Sequence, residues 1–451
     1  MLSLPLAIVS AIALLLLLII VGKFNAFLSL LVASIWVGLA SGMPIADISG
    51  AIIEGMGGTL GFVATIVGLG AIFGAILERS GGAQSLAQYL LRQFGEKRAP
   101  GAMLLTGFVV AIPVFFDVAF IILIPVIYAL ARRSGQSLLL YAIPLLAGLA
   151  ITHAFIPPTP GPVAVADILK ADLGWVILFG IIVGLPTALV SGLLFGRYIA
   201  GRIFVPVPTN ANEAPPESVD LRGLVPLMLA IIALPILLIL GNTLSQTLIK
   251  NGTWAETYPL QVLQFLGHPI IALLLATFVA LYFLGTRRGM SRTELSELSM
   301  KALAPAGAII LITGAGGVFK QMLIKTGAGE AIGAALADLE VSYVLLAFGI
   351  AALVRMAQGA ATAAMITAAG IMGPLLEANP LAPAQSALLV LAIASGATIL
   401  SHVNDSGFWL VNRYLQLSER DTLRAWTGLT TVIALSSLVV ILLLYSLWGL
   451  T

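Results

Sequence analysis

Residues Leu2–Val21 form an apolar run without one charged side chain, and Leu429–Leu447 form another. Each is long enough to cross a hydrocarbon core of about 30 Å as a helix. Lipid offers backbone groups no water to bond, so such runs must satisfy their own hydrogen bonds. Apolar runs lie near residues 3–22, 26–42, 57–77, 101–131, 137–155, 174–196, 223–241, 262–286, 303–323, 341–377, 384–402 and 427–449. The fold class this predicts is an all-α polytopic membrane protein. Only 9% of the 451 residues are charged, against about 25% in soluble domains. No basic residue precedes the first run and no A-x-A-like site follows it, so a retained span is expected there rather than a signal peptide. A net charge of +2 gives no reason to expect nucleic acid as a partner. The absence of cysteine excludes disulfides, thiolate catalysis and cysteine-ligated metals.

Two stretches interrupt this pattern at membrane depth. "LAGLAITHAFIPPTPGPVAVADIL" (146–169) sets His153 beside Pro157, Pro158, Pro160 and Pro162. "SGATILSHVNDSGFWLV" (395–411) sets His402 beside Asn404, Asp405, Ser406 and Gly407. Broken backbone at depth is tolerated where it lines a watery cavity or is buried in protein. Both stretches are therefore expected to bind a polar solute.

The two belong to a repeat. At an offset of 246 residues, Gly68, Gly70, Phe73, Leu77 and Gly81 meet Gly314, Gly316, Phe319, Leu323 and Gly327. His153 meets His402 at an offset of 249. Basic residues mark the cytoplasmic side, and they reverse between the halves. Loop 78–100 holds Arg79, Arg92, Lys97 and Arg98, whereas 324–346 holds only Lys325. Arg132 and Arg133 follow the first long run, and "EANPLAPA" (377–384) follows the second. Lys170 alone follows His153, whereas Arg413, Arg420 and Arg424 follow His402. The expectation is two inverted repeats of about five transmembrane helices each, with broken helices at the midplane. The long runs 101–131 and 341–377 read as one re-entrant hairpin per repeat. The repeats are assigned to 1–202 and 223–451. The proline-rich stretch 203–222 between them is expected in the cytoplasm, with 42–56 and 156–173 outside and both termini periplasmic. Inverted repeats with broken helices characterise secondary transporters, whose substrate sits near the midplane.

Ionisable residues at membrane depth are rare and usually functional. Asp117, in "IPVFFDVAFIIL", is the first candidate for the coupling proton, with Asp405 second. Lys320, in "GAGGVFKQML", and Arg355, in "ALVRMAQGAATAAMITAAGI", are candidates for a substrate carboxylate. Each could instead pair with a protein carboxylate, and Lys320 could reach an interface. His153, Thr159, Gln358, Thr362 and Asn404 suit substrate hydroxyls. Gly161, Gln321 and His402 complete the expected binding set. His153 and His402 have the alternative of bonding a neighbouring carbonyl, Asp117 of capping a hairpin tip and Asp405 of capping a helix. His268, after Gly267, reads as an interface residue. No G-x-x-x-x-G-K-[ST] loop is present, so ATP drive is not expected. Neither is an enzyme, since H-E-x-x-H and G-x-S-x-G are also missing. No metal or cofactor is expected.

The stretches "GGTLGFVATIVGLGAIFG", "HAFIPPTPGP", "GAGGVFKQ" and "SHVNDSGFWLV" resemble the gluconate permease family of bacterial symporters, within the ion-transporter superfamily. The resemblance runs over nearly the whole chain. It implies import of gluconate or a similar small sugar acid by proton symport across the inner membrane, with protons as the coupling ion and no cofactor. It also implies a homodimer with an elevator-like transport domain. D-serine or glycerate is the alternative substrate within the same fold. A channel or a membrane-embedded enzyme is the more distant alternative. Several members have His at the position of Thr159, Glu at that of Asp117 and Pro at that of Ser406.

Overall fold

The computed structural model describes residues 3–208, 224–327 and 342–448. Among them there are helices, turns and no strand. The first half runs α1 (Leu4–Ile20), α2 (Ala26–Ala40), α3 (Ile45–Arg79), α4 (Gly82–Phe94), α5 (Ala99–Val110), α6 (Phe116–Ser134), α7 (Leu139–Phe155), α8 (Pro160–Ile168), α9 (Leu173–Ala188) and α10 (Phe195–Arg202). The second runs α11 (Leu224–Lys250), α12 (Tyr258–Leu266), α13 (Pro269–Ala280), α14 (Arg292–Lys325), α15 (Tyr343–Gln358), α16 (Ala361–Ala378), α17 (Pro383–Gly396), α18 (Ser406–Leu415), α19 (Glu419–Thr422) and α20 (Gly428–Trp448). Helical stretches are joined through π-helical turns at Leu189–Leu194 and Leu423–Thr427. Among the described residues, eight helical stretches are long and apolar enough to cross a membrane. Four shorter apolar helices, including α15 and α17, stand beside them. The chain is a multi-pass membrane protein.

Local signals fix the helix starts. Asn25 accepts the Leu28 N–H at 2.9 Å, and Asp172 accepts the Trp175 N–H at 3.0 Å. Ser291 and Glu294 close a reciprocal capping box at the head of α14. Proline occupies the first turn of α1, α8, α13 and α17, where a missing N–H costs no hydrogen bond.

Packing is set by small residues. α3 and α14, of 35 and 34 residues, lie against one another. A Cβ on Gly55 would stand 2.7 Å from the Gly317 carbonyl oxygen, so no larger residue fits that crossing. A Cβ on Gly148 of α7 would stand 2.3 Å from the Leu104 carbonyl oxygen of α5. Nearly every residue of α7, α16 and α17 is buried. A helix apolar on all sides belongs in the interior of a bundle, and these three form its centre.

The interruptions differ in detail from the expected boundaries. α7 continues through His153 to Phe155, so the first break is Ile156–Thr159. Pro157 and Pro158 lie in it, whereas Pro160 and Pro162 sit in the first turn of α8. There they start a helix rather than stop one. The second break is longer, from Ala397 to Asp405, and Ser406 and Gly407 already belong to α18. His153 therefore lies in a helix and His402 in a break, so the two are not equivalent positions. The start of the interhelical stretch 203–222 is fixed: Leu138 N–H donates to the Val205 carbonyl at 2.9 Å, and Val205 N–H donates to Ser137 Oγ at 3.1 Å. Its residues 209–222, and loop positions 328–341, lie outside the described residues.

Candidate functional site

Two helix–turn–helix units and two broken helices converge on one cavity of about 680 Å³. α5 and α6 turn at 111–115, and α15 and α16 turn at Gly359–Ala360. Four helices begin at the cavity. Asp117 represents α6, Gly161 α8, Thr362 α16 and Ser406 α18, each in the first turn. Helix N-termini carry partial positive charge, so this convergence favours an anion, with the free N–H groups of α8 reduced by Pro160 and Pro162 and the Gly407 N–H of α18 taken by Asp405. The C-terminal end of α15 brings in Arg355 and Gln358, and α14 supplies an apolar wall through Pro305, Ile309 and Ile312.

Close approaches hold the turns in place. Gly359 has φ +84°, and a Cβ there would stand 2.2 Å from the Asn404 carbonyl oxygen. The left-handed conformation and the missing side chain let the second turn rest on the second break. Asn404 Nδ2 donates to the Met356 carbonyl at 3.0 Å. The first turn rests instead on α3, where a Cβ on Gly74 would stand 2.0 Å from the Pro113 carbonyl oxygen.

The charged centre is a pair. Arg355 Nη2 donates to Asp405 Oδ2 at 2.5 Å, with side chains 4% and 13% exposed. Asp405 Oδ2 also accepts from the Ser401 hydroxyl, and Oδ1 accepts the Gly407 N–H at 3.2 Å. Arg355 Nε and Nη1 are buried and have no partner among the described residues. Gln358 Oε1 and His153 Nδ1 are in the same condition. All three residues line the cavity, as does the exposed Asp117. Buried polar groups are almost always hydrogen-bonded, so these three residues at the cavity keep unused hydrogen-bonding capacity.

Of the residues singled out from the sequence, Asp117, His153, Gly161, Arg355, Gln358, Thr362, Asn404 and Asp405 line this cavity. Thr159, Lys320, Gln321 and His402 are not among its lining residues. The Thr159 hydroxyl donates to the Ile156 carbonyl at 2.8 Å, closing the first break on itself. His402 Nε2 lies 3.0 Å from the Met356 carbonyl and covers the end of α15. Lys320 Nζ lies 3.5 Å from Glu377 Oε2, and its stem runs along Gly373 of α16. Gln321 packs at Gly55 of α3. His268 is the N-cap residue of α13, its ring edge-on to Phe62. Trp426, Thr398 and Thr430 also line the cavity and were not singled out. Their signal was present: Trp426 and Thr430 stand in "AWTGLTT" (425–431), dense in hydroxyls where the last apolar run begins, and Thr398 stands in the second interrupted stretch.

Comparison with solved structures identifies the architecture. The Alcanivorax borkumensis YdaH transporter matches with TM-score 0.63 at 14% identity, covering 88% of each chain. Neisseria gonorrhoeae MtrF, described as illuminating a class of antimetabolite efflux pumps, matches with TM-score 0.66 at 16% identity, covering 88% of this chain and 85% of that one. The fold is that of multi-pass membrane transport proteins.

Sequence comparison then gives the family. The chain belongs to the family described as GntP family permease, whose model matches residues 3–448. It is 43% identical over 427 residues to a gluconate permease of Pseudomonas aeruginosa, covering 94% of this chain and 93% of the relative. It is 40% identical over 435 residues to the low-affinity gluconate transporter of Escherichia coli K12, covering 96% of each. It is 36% identical over 448 residues to the Gnt-II system L-idonate transporter of the same organism, covering 97% of this chain and 98% of the relative. The chain is a transporter and not an enzyme.

Proposed function

We propose that this chain imports gluconate, or a sugar acid close to it, by proton symport across a bacterial inner membrane. The observation that carries the reading is the set of orphaned polar atoms on one cavity: Arg355 Nε and Nη1, Gln358 Oε1 and His153 Nδ1. Arg355 offers its free N–H groups to a carboxylate, as guanidinium donors suit planar anions. Gln358 accepts from a substrate hydroxyl, and His153, Thr362 and Asn404 bind the others. Gly161 makes room for Met365, whose sulfur would stand 2.7 Å from a Cβ there, and so lets α16 close on the N-terminus of α8. The names of the curated relatives support gluconate and L-idonate, both polyhydroxylated monocarboxylates, as the substrate class.

Asp117 is the proton carrier in this reading. Arg355 is already balanced by Asp405. A substrate anion beside an ionised Asp117 would leave excess negative charge at membrane depth, where it is costly. A proton on Asp117 returns the site to the net charge it has without substrate, one negative, and ties each substrate to a proton. Lys320 is structural here, because Glu377 already holds it.

The transport cycle we propose is elevator-type, in a homodimer built from two inverted repeats at 1–202 and 223–451. The helix ends support the duplication. At the offset of 246 residues, α3 falls on 291–325 beside α14 at Arg292–Lys325. α6 falls on 362–380 beside α16 at Ala361–Ala378, and α8 falls on 406–414 beside α18 at Ser406–Leu415. α5, with 12 residues, is about 18 Å long and too short to cross, as a re-entrant arm should be. The opposed charge of the loops supports opposite orientations, with 203–222 cytoplasmic.

The test is uptake of radiolabelled gluconate into proteoliposomes under an inward proton gradient, challenged with unlabelled acids. Saturable uptake, displaced by gluconate and L-idonate and abolished by collapsing the gradient, is the expected result. Displacement by D-serine or glycerate but not gluconate would move the substrate class. Nonsaturating flux would replace the carrier by a channel.

A further inference from the structure

Asp405 and Arg355 are not the end of the buried polar chain. Trp426 Nε1 donates to Ser401 Oγ at 2.6 Å, and the Ser401 hydroxyl in turn donates to Asp405 Oδ2. The direction is fixed by chemistry. An indole N–H can only donate, so Ser401 Oγ accepts from Trp426 and its single proton is left for Asp405. Asp405 therefore meets donors from Ser401, Gly407 and Arg355. Three donors on one side chain fix where both carboxylate oxygens point.

The chain of donors is itself anchored. Thr427 donates its hydroxyl to the Ser401 carbonyl, and the Ser401 N–H donates to Thr430 Oγ1 at 3.2 Å. The main-chain groups of Ser401 are thus held from both sides by the last transmembrane stretch. The π-helical turn Leu423–Thr427 sets Trp426 at 4% exposure, its ring 5.4 Å from that of Phe116 at the first turn of α6. π-turns interrupt α-helical phase and recur at functional positions.

We propose that Trp426 and Ser401 are positioning residues for substrate binding. They hold Asp405 as an anion on Arg355 Nη2 alone, so that Arg355 keeps Nε and Nη1 for a substrate carboxylate. Without them, Asp405 is free to turn onto those donors and compete with the substrate. Asp405 then stays with Nη2 and does not compete with the substrate for the remaining guanidinium donors. This inference rests on the reading of the cavity as a hydroxy-acid site.

The variants are Trp426→Phe, Ser401→Ala and the two together. Phenylalanine keeps the ring against Phe116 and removes only the donor, so Trp426→Phe serves even where Ser401→Ala folds poorly. Each single variant raises KM roughly threefold to tenfold, the scale of one hydrogen bond, with the maximal rate unchanged. The double variant is no worse than the more affected single one, because the residues act through one chain. Binding is measured on purified protein with gluconate, L-idonate, glycerate and D-serine, and KM is then measured with whichever the wild type binds most tightly. Unchanged KM, a fall in maximal rate alone, or effects that multiply in the double variant would overturn the inference. A wild type that binds none of the four removes the hydroxy-acid reading and this inference with it. A wild type that binds while the variants match it removes this inference only.

Discussion

The two helix breaks, one in each half of the chain, are built from opposite materials. The first, Ile156–Thr159, is short and closed: two prolines withhold N–H groups, and the one hydroxyl bonds Ile156. The second, Ala397–Asp405, is long and polar, with its main chain tied to Thr427 and Thr430 and its side chains to Arg355 and Trp426. Proline stops a helix by removing a donor and adds no new group to the surface. A polar break leaves groups that must find partners and can exchange them for a ligand. The first break stays behind the cavity, which its flanking residues Ala154 and Gly161 reach and its own do not, and the second carries the cavity's charge.

The same contrast extends to the turns. The first rests on α3 through Gly74, and the second rests on the polar break through Gly359. Movement of the second turn therefore disturbs the charged centre through the backbone it rests on, whereas the first turn reaches that centre only through side chains, Phe116 against Trp426 among them.

The largest expected effect bridges the two halves. Asp117, from the first turn, faces the charge of the second break across the cavity. Asp117→Asn keeps the size and mimics the protonated acid. It should abolish accumulation driven by a pH gradient while leaving exchange of labelled for unlabelled substrate intact, both measured in the same proteoliposomes. Gradient-driven accumulation at wild-type levels would remove Asp117 from coupling. A smaller effect separates the turns directly. Gly359→Ala and Gly74→Ala each force a Cβ onto backbone, and both should lower thermal stability by roughly 1–3 kcal/mol. Only Gly359→Ala should also raise KM. Equal KM changes in the two would erase the distinction between the turns.

Much of this was legible in the sequence, for identifiable reasons. Helix-breaking residues inside apolar runs locate irregular backbone wherever it occurs, so both breaks and both turns stood out. Asp117 and Arg355 stood out because charge at depth is rare. Depth along a helix was not legible. Lys320 lies eight residues beyond the cavity-lining Ile312 on α14, about 12 Å farther along the axis, where Glu377 meets it. His402 matched His153 only because a shift of three residues aligns two histidines. The helix ends place one inside a helix and the other in a break. The role of Ser401 depends on contacts across 25 residues to Trp426, which no local pattern announces.

The account turns on which cation meets the substrate carboxylate, and one paired measurement addresses it. Arg355→Lys keeps a positive charge opposite Asp405 and loses the Nε and Nη1 donors. Lys320→Gln removes the other buried cation among the described residues, which already has Glu377. Equilibrium binding of labelled gluconate to the two purified, monodisperse variants compares them. Arg355→Lys should weaken binding by about 1.5–3 kcal/mol, roughly tenfold to over a hundredfold, with Lys320→Gln close to wild type. Unchanged binding in Arg355→Lys together with a tenfold loss in Lys320→Gln would contradict the account and move the carboxylate site to α14.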